Sequence, residues 1–112
     1  MAIFAFRTRN PDRDRGTDAQ RFQALCAALE DLSGQIRREE AGLKTRYERV
    51  RDQAAFTVQN LDNGATASMS ERADALTLSL AQCEARLAAL KAQLDYLTRL
   101  RAEVDAQKPL WG

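Results

Sequence analysis

The apolar residues between Met69 and Val104 recur at alternating steps of four and three, and this spacing constrains the fold more than any other feature. The series runs through Met69, Ala73, Leu76, Leu80, Cys83, Leu87, Leu90, Leu94, Leu97, Arg101 and Val104. Only Arg101 in it is not apolar. Such alternation is the heptad pattern of an α-helix that packs along a partner helix. The sequence therefore predicts a long second helix, which Pro109 ends.

A less regular apolar series lies upstream and predicts the partner helix. It begins as Phe22, Leu25, Leu29, Leu32 and Ile36, and it resumes as Leu43, Tyr47, Val50, Ala54 and Leu61. The polar Glu39 falls between the two runs, and the second run is offset by four residues. An insertion of four residues is a stutter, which locally unwinds a coiled coil. We therefore predict that the heptad phase of the first helix shifts near Glu39.

The start of the first helix is predicted from breaking and capping residues. Asn10-Pro11 and Gly16 indicate that no helix crosses this stretch, so residues 1–16 would form a separate N-terminal arm. Thr17 with Gln20 has the spacing of a capping box, which places the helix start at Thr17.

The turn between the helices is predicted from residues that accept a positive φ. Asn63-Gly64 supplies two such residues, and Ser68 with Glu71 repeats the capping-box spacing. A turn over residues 62–68 and a second helix from near Met69 follow. The hairpin would then occupy residues 17–107, and residues 108–112 would form a C-terminal tail.

Two helices of similar length joined by so short a turn lie antiparallel. The predicted fold is therefore all-α: an antiparallel two-helix coiled-coil hairpin. A turn centred on residue 65 gives facing residues numbers that add up to about 130. This register pairs apolar with apolar, as in Val50 with Leu80. It also predicts two ion pairs, Glu39 with Lys91 and Arg46 with Glu84.

The types of side chain present argue against a catalytic, cofactor-binding or metal-binding site. The chain has no histidine, no glycine-rich phosphate loop and no clustered cysteines. In the predicted register Cys26 and Cys83 lie too far apart for a disulfide, so both are expected to be reduced. We predict that the chain is not an enzyme and has no cofactor, no metal and no small-molecule substrate.

Charge and hydropathy limit the partner and the compartment. The 17 basic and 16 acidic residues leave a net charge of +1, which does not favour nucleic acid as the partner.

The apolar run Met1 to Phe6 is too short for a signal peptide or a membrane span, which predicts a cytoplasmic protein. The preference for Arg over Lys indicates a bacterial genome of high GC content.

The back of the second helix predicts self-association. Its alanines lie away from the seam, where a lone hairpin would leave them in water, and small residues let another helix approach closely. A homodimer in the form of a four-helix bundle is predicted through Ala81, Ala85, Ala88, Ala89, Ala92 and Tyr96. The alternative is that alanine is simply the best helix former and needs no partner.

Apolar residues outside the heptads predict where a partner docks. They lie in the arm, near the turn and in the tail, and the arm adds arginines. The predicted partner-binding residues are Ile3, Phe4, Phe6, Arg7, Arg9, Phe56, Val58, Leu78 and Trp111. Two alternatives stay open: Phe4, Phe6 and Trp111 could cover the open end of the seam, and Phe56 could seal the turn.

We therefore expect a protein-interaction module, a small structural, adaptor or escort protein whose partner proteins are not identified by the sequence. Its predicted architecture, though no motif, is similar to the stalk and escort proteins of bacterial secretion and flagellar export. The alternative function is a peripheral membrane or nucleoid-associated protein that uses the Arg-bearing arm. Added salt separates the two, because charge-driven binding weakens steeply with salt and apolar helix docking does not.

Overall fold

A computed structural model of the chain describes residues 9–62 and 67–112. Helix α1 spans Pro11–Asp62 and helix α2 spans Ala67–Ala106. A short 3-10 helix, Lys108–Trp111, follows α2. The two long helices pack against each other, and there is no strand within the described ranges. The predicted all-α helical hairpin is confirmed.

The chain divides into two compact units. The terminal unit contains the described residues up to Ser33 together with Tyr96–Gly112. The turn unit is Gly34–Asp95. Each unit pairs a stretch of α1 with a stretch of α2, so each has its own part of the core.

The predicted start of α1 at Thr17 is wrong, because the helix already begins at Pro11. The side-chain oxygen of Asn10 accepts hydrogen bonds from the backbone N–H groups of Asp12 at 2.9 Å and Arg13 at 3.3 Å, which caps the helix. Proline suits the first helical position, where its missing N–H costs nothing. Thr17 lies inside the helix, and its hydroxyl donates to the Arg13 carbonyl at 3.0 Å. Of the predicted arm, residues 1–8 lie outside the described residues.

Helix α2 begins at Ala67, two residues before the predicted start at Met69. Ser68 therefore lies within the first turn and not at the cap. The predicted turn residues Asn63 and Gly64 lie outside the described residues. At the other end, α2 stops at Ala106, close to the predicted limit of residue 107.

The seam of α2 has the predicted phase. All eleven predicted positions from Met69 to Val104 are buried or half-buried. Ala73, Cys83, Leu90 and Leu97 are buried, and the side chain of Leu90 is fully enclosed. Cys83 and the half-buried Cys26 are both free thiols, as predicted.

The seam of α1 differs from the predicted one in its first run, and the predicted stutter near Glu39 is wrong. Steps of four and three continue without insertion through Phe22, Cys26, Leu29, Ser33, Ile36, Glu40, Leu43, Tyr47, Val50, Ala54, Thr57 and Leu61, all of them buried or half-buried. The predicted seam residues Leu25 and Leu32 are 39% and 46% exposed. Each lies one position before a seam residue. An unbroken seam on α2 requires an unbroken seam on α1, and this requirement outweighs the greater hydrophobicity of the two leucines.

The regular phase places polar side chains in the core. Ser33 and Glu40 are half-buried, and Thr57 is only 5% exposed. The Thr57 hydroxyl donates to the Gln53 carbonyl at 2.8 Å, so its burial leaves no unsatisfied donor. A polar residue in a coiled-coil seam disfavours other alignments at some cost in stability.

Two polar contacts between the helices agree with the predicted register. The Tyr47 hydroxyl donates to Glu84 at 2.8 Å, and Arg101 lies 3.6 Å from Glu30; in both pairs the residue numbers add up to 131. The predicted ion pairs are wrong in their partners. Glu39 pairs with Arg86 and not with Lys91, and Glu84 accepts from Tyr47 and does not pair with Arg46.

Candidate functional site

The terminal unit closes its end of the seam with the 3-10 helix. The Trp111 ring packs on the buried Phe22 ring, with centroids 6.3 Å apart and planes inclined by 40°. Gly112 has a φ of 90°, and a Cβ there would lie 3.4 Å from the Arg15 carbonyl. The tail is thus fitted against α1. A groove of about 160 Å³ remains beside the rings, lined by Ala19, Phe22, Gln23, Lys108, Trp111 and Gly112.

The predicted partner-binding residues of the arm are only partly described. Ile3, Phe4, Phe6 and Arg7 lie outside the described residues. Arg9 is exposed, and its Nε donates to Asp14 at 3.0 Å. A polar hollow beside it is lined by Arg9, Arg13, Asp14, Thr17, Asp18 and Arg21. The acidic side chains in this lining offset part of its positive charge.

Phe56 is the most informative residue of the turn unit. Its side chain is 65% exposed and lines a groove of about 240 Å³. We call this the Phe56 groove; its lining residues are Gln53, Phe56, Thr57, Asn60, Met69 and Arg72. Val58 and Leu78 are also exposed but do not line it. The residues predicted near the turn therefore do not form one shared groove.

The small size of the neighbouring seam residues explains why the Phe56 side chain stays outside the core. Phe56 lies next to the seam position of Thr57, and the register sets Thr57 opposite Ala73. Both seam residues are small and buried, so the core at this level is filled without the phenyl ring. The sequence analysis missed Thr57 because it is polar, although it lies three residues after Ala54 and four before Leu61.

Ion pairs flank the seam in both units. In the turn unit, Arg86 donates two hydrogen bonds to Glu39, at 2.6 and 3.0 Å. These bonds lower the pKa of the Glu39 carboxyl. The hydrogen bond to Glu84 raises the pKa of the Tyr47 hydroxyl, because it favours the protonated phenol. In the terminal unit, Arg101 contacts Asp105 at 3.1 Å as well as Glu30, and the hydrogen bond to Asp105 raises the pKa of its guanidinium.

The predicted dimer surface is solvent-exposed within each unit. In the turn unit the exposed side chains are Ala81, Ala85, Ala88, Ala89 and Ala92. In the terminal unit Tyr96 is exposed, as are Leu25 and Leu32. These two leucines form an exposed pair that the sequence analysis missed, since it assigned both to the seam.

The described part of the chain contains no group of three or more His, Cys, Asp or Glu side chains that could hold a metal ion. None of its helices is long and apolar enough to cross a membrane. Comparison with known proteins finds no matching family model, no matching curated protein and no matching solved structure. The choice of a candidate functional site therefore rests on geometry, and we take the Phe56 groove as that site.

The pairing of Glu39 with Arg86 gives a pH prediction. In Arg86→Gln the pKa of Glu39 should rise toward the ordinary value for glutamate, because the hydrogen bonds to the carboxylate are lost. In the wild type the pKa is lowered, so the stabilising contribution of the pair is present above the unfolded-state pKa. It is lost as the pH falls through the folded-state pKa. The measurement is the Glu39 side-chain carboxyl ¹³C shift against pH.

Lys91→Gln is the matched control for this titration, because Lys91 is the partner that heptad reasoning assigned to Glu39. It should leave the midpoint unchanged. A midpoint that moves with Lys91→Gln and stays fixed with Arg86→Gln would contradict the observed pairing.

Proposed function

We propose that the chain is a non-enzymatic protein-interaction module, a small structural, adaptor or escort protein that binds partner proteins. The hairpin supplies the rigid surface, and the N-terminal arm supplies a second recognition element. The observation that carries the proposal is the placement of Phe56, which is exposed in a groove while the small residues Ala54 and Thr57 beside it are buried.

Leaving Phe56 in water forgoes stability. Full burial of a phenylalanine side chain is worth roughly 1.5–3 kcal/mol. Exposed apolar patches rimmed by polar residues are typical of protein interaction sites, and a few anchor residues carry most of the binding energy at such sites. The rim of the Phe56 groove has polar side chains in Gln53, Asn60 and Arg72. A protein partner that covers Phe56 would recover the forgone burial.

The alternative partners, a membrane surface or nucleic acid, receive less support. Among the arginines near the start of α1, Arg9 pairs with Asp14, Arg15 pairs with Asp12, and Arg21 lies 3.8 Å from Asp18. A polyanion would have to compete with these carboxylates. Affinity that falls steeply with added salt would favour the alternative, whereas apolar docking would change little.

A bacterial cytoplasmic setting forms part of the proposal. The two free cysteines fit a reducing compartment. The excess of arginine over lysine supports the bacterial origin.

A photo-crosslinker at position 56 tests the docking surface. Phe56→p-benzoylphenylalanine in the full chain should capture a defined protein in irradiated cells, and the same residue at the exposed position 49 should not. The captured protein, once purified, should bind Phe56→Ala at least ~10-fold more weakly than the wild type, as for an anchor residue. Isothermal calorimetry measures this ratio.

Leu110→Ala is the matched control, since Leu110 is an exposed apolar residue in the terminal unit. It should leave the affinity unchanged. If Phe56→Ala retains full affinity but lowers the melting temperature, Phe56 seals the turn and the docking proposal fails. Deletion of residues 1–8, which keeps the Asn10 cap of α1, shows in the same assay whether the arm contributes: helicity should stay the same and affinity should fall.

The proposal also includes a homodimer through the alanines on the back of α2. The five alanines predicted at this interface, Ala81, Ala85, Ala88, Ala89 and Ala92, are all exposed, and small side chains allow two helix backbones to approach closely. Association through this face would give a four-helix bundle.

Light scattering on the double variant Ala85→Glu/Ala92→Glu tests the dimer. The mass should be half that of the wild type while helicity is kept, because the new carboxylates would be buried unpaired in the interface. Thr45→Glu/Gln59→Glu adds the same charge at exposed positions of α1 and should leave the mass unchanged. A wild type that is already monomeric at micromolar concentration contradicts the dimer.

A further inference from the structure

The Phe56 groove combines an apolar floor with polar groups on both sides. Phe56 and Met69 supply apolar surface from the two helices. Gln53 and Asn60 lie seven residues apart, so they share one face of α1 and bracket Phe56. Arg72 contributes the cation from α2. The lining offers a partner both burial and hydrogen bonds.

Arg72 differs from two other arginines of α2, Arg86 and Arg101. Arg86 is engaged by Glu39, and Arg101 by Asp105 and Glu30. Arg72 is exposed, and within the described residues it makes no ion pair. A guanidinium presents donors in a planar fork that matches a carboxylate. The lining therefore has a free positive charge next to an apolar surface.

The size of the groove indicates the kind of occupant. Its volume of about 240 Å³ is smaller than the roughly 300–1,000 Å³ of typical small-molecule sites. It suits one or two side chains of a protein segment better than a metabolite. One cation is also too little charge to hold a nucleic acid backbone, which takes several phosphate contacts.

We propose that the Phe56 groove binds a partner segment in which an apolar side chain is followed by Asp or Glu. The apolar side chain packs on Phe56 and Met69, and the side-chain carboxylate pairs with Arg72. Gln53 and Asn60 hydrogen-bond the backbone of the segment. This inference rests on the proposed docking function and adds the chemistry of the partner.

Two capped dipeptides, acetyl-Phe-Glu-amide and acetyl-Phe-Gln-amide, serve as probes that differ only in the carboxylate. Binding is followed on the full chain labelled at its methionine methyl groups. The chain has two methionines, of which Met69 lines the groove and reports its occupancy. The Met69 signal should shift with both probes, with the Glu probe binding about 1.4-fold to fivefold more tightly, the range for one exposed ion pair.

Variants assign the effect to residues. Arg72→Gln should bring the ratio of the two affinities to one while both probes still bind. Arg49→Gln, which removes another exposed arginine of the turn unit, should keep the ratio. Phe56→Ala should abolish the shift of Met69 with either probe. The indole signal of Trp111 monitors the groove of the terminal unit and should respond more weakly.

The inference would be overturned by no shift of Met69, by equal affinity of the two probes for the wild type, or by a ratio that survives Arg72→Gln. Equal affinities obtained from the Trp111 and Met69 signals would also overturn it, because the probes would then not prefer the Phe56 groove. The docking proposal still holds after any of these results if the protein captured at position 56 binds the wild type more tightly than Phe56→Ala. Loss of that difference in affinity defeats both.

Discussion

The packing of the α1 seam against the α2 seam is the interaction on which the rest of the structure depends. A helix in water gains most of its stability from burying an apolar stripe, and neither helix here has another described surface to bury it on. The match between the seams is continuous: steps of four and three run from Phe22 to Leu61 on α1 and from Met69 to Val104 on α2. Since the spacing of one seam fixes that of the other, α1 accepts Ser33, Glu40 and Thr57 in the core.

The composition of this seam decides what is left on the surface. Small or polar residues occupy seam positions such as Cys26, Ala54 and Thr57, while larger apolar residues lie outside it. Leu25 and Leu32 flank the seam in the terminal unit, and Phe56 lines its groove in the turn unit. Stability that a larger core would supply is forgone, and apolar surface stays exposed instead. This exchange is the physical basis of the proposed binding function.

The fold could be predicted from the sequence, because the regular series of α2 and the Asn63-Gly64 turn signal leave an antiparallel hairpin as the consistent solution. The phase of α1 could not be predicted from hydrophobicity, since Leu25 and Leu32 are more apolar than the neighbouring Cys26 and Ser33 that occupy the seam. The signal that identifies the α1 seam is the regular alternation of steps of four and three from Phe22 to Leu61. Asn10-Pro11 suits a helix start as well as a helix break, and the Phe56 groove depends on which small residues meet across the seam.

The unfolding free energy of Leu29→Ala compared with that of Leu32→Ala tests the continuous seam most directly. Leu29 is buried and Leu32 is 46% exposed, so urea unfolding should show a loss of about 2–5 kcal/mol for Leu29→Ala. Leu32→Ala should stay within about 0.5 kcal/mol of the wild type, as surface substitutions do. Equal losses for the two variants would place both leucines in the core and contradict the uninterrupted seam.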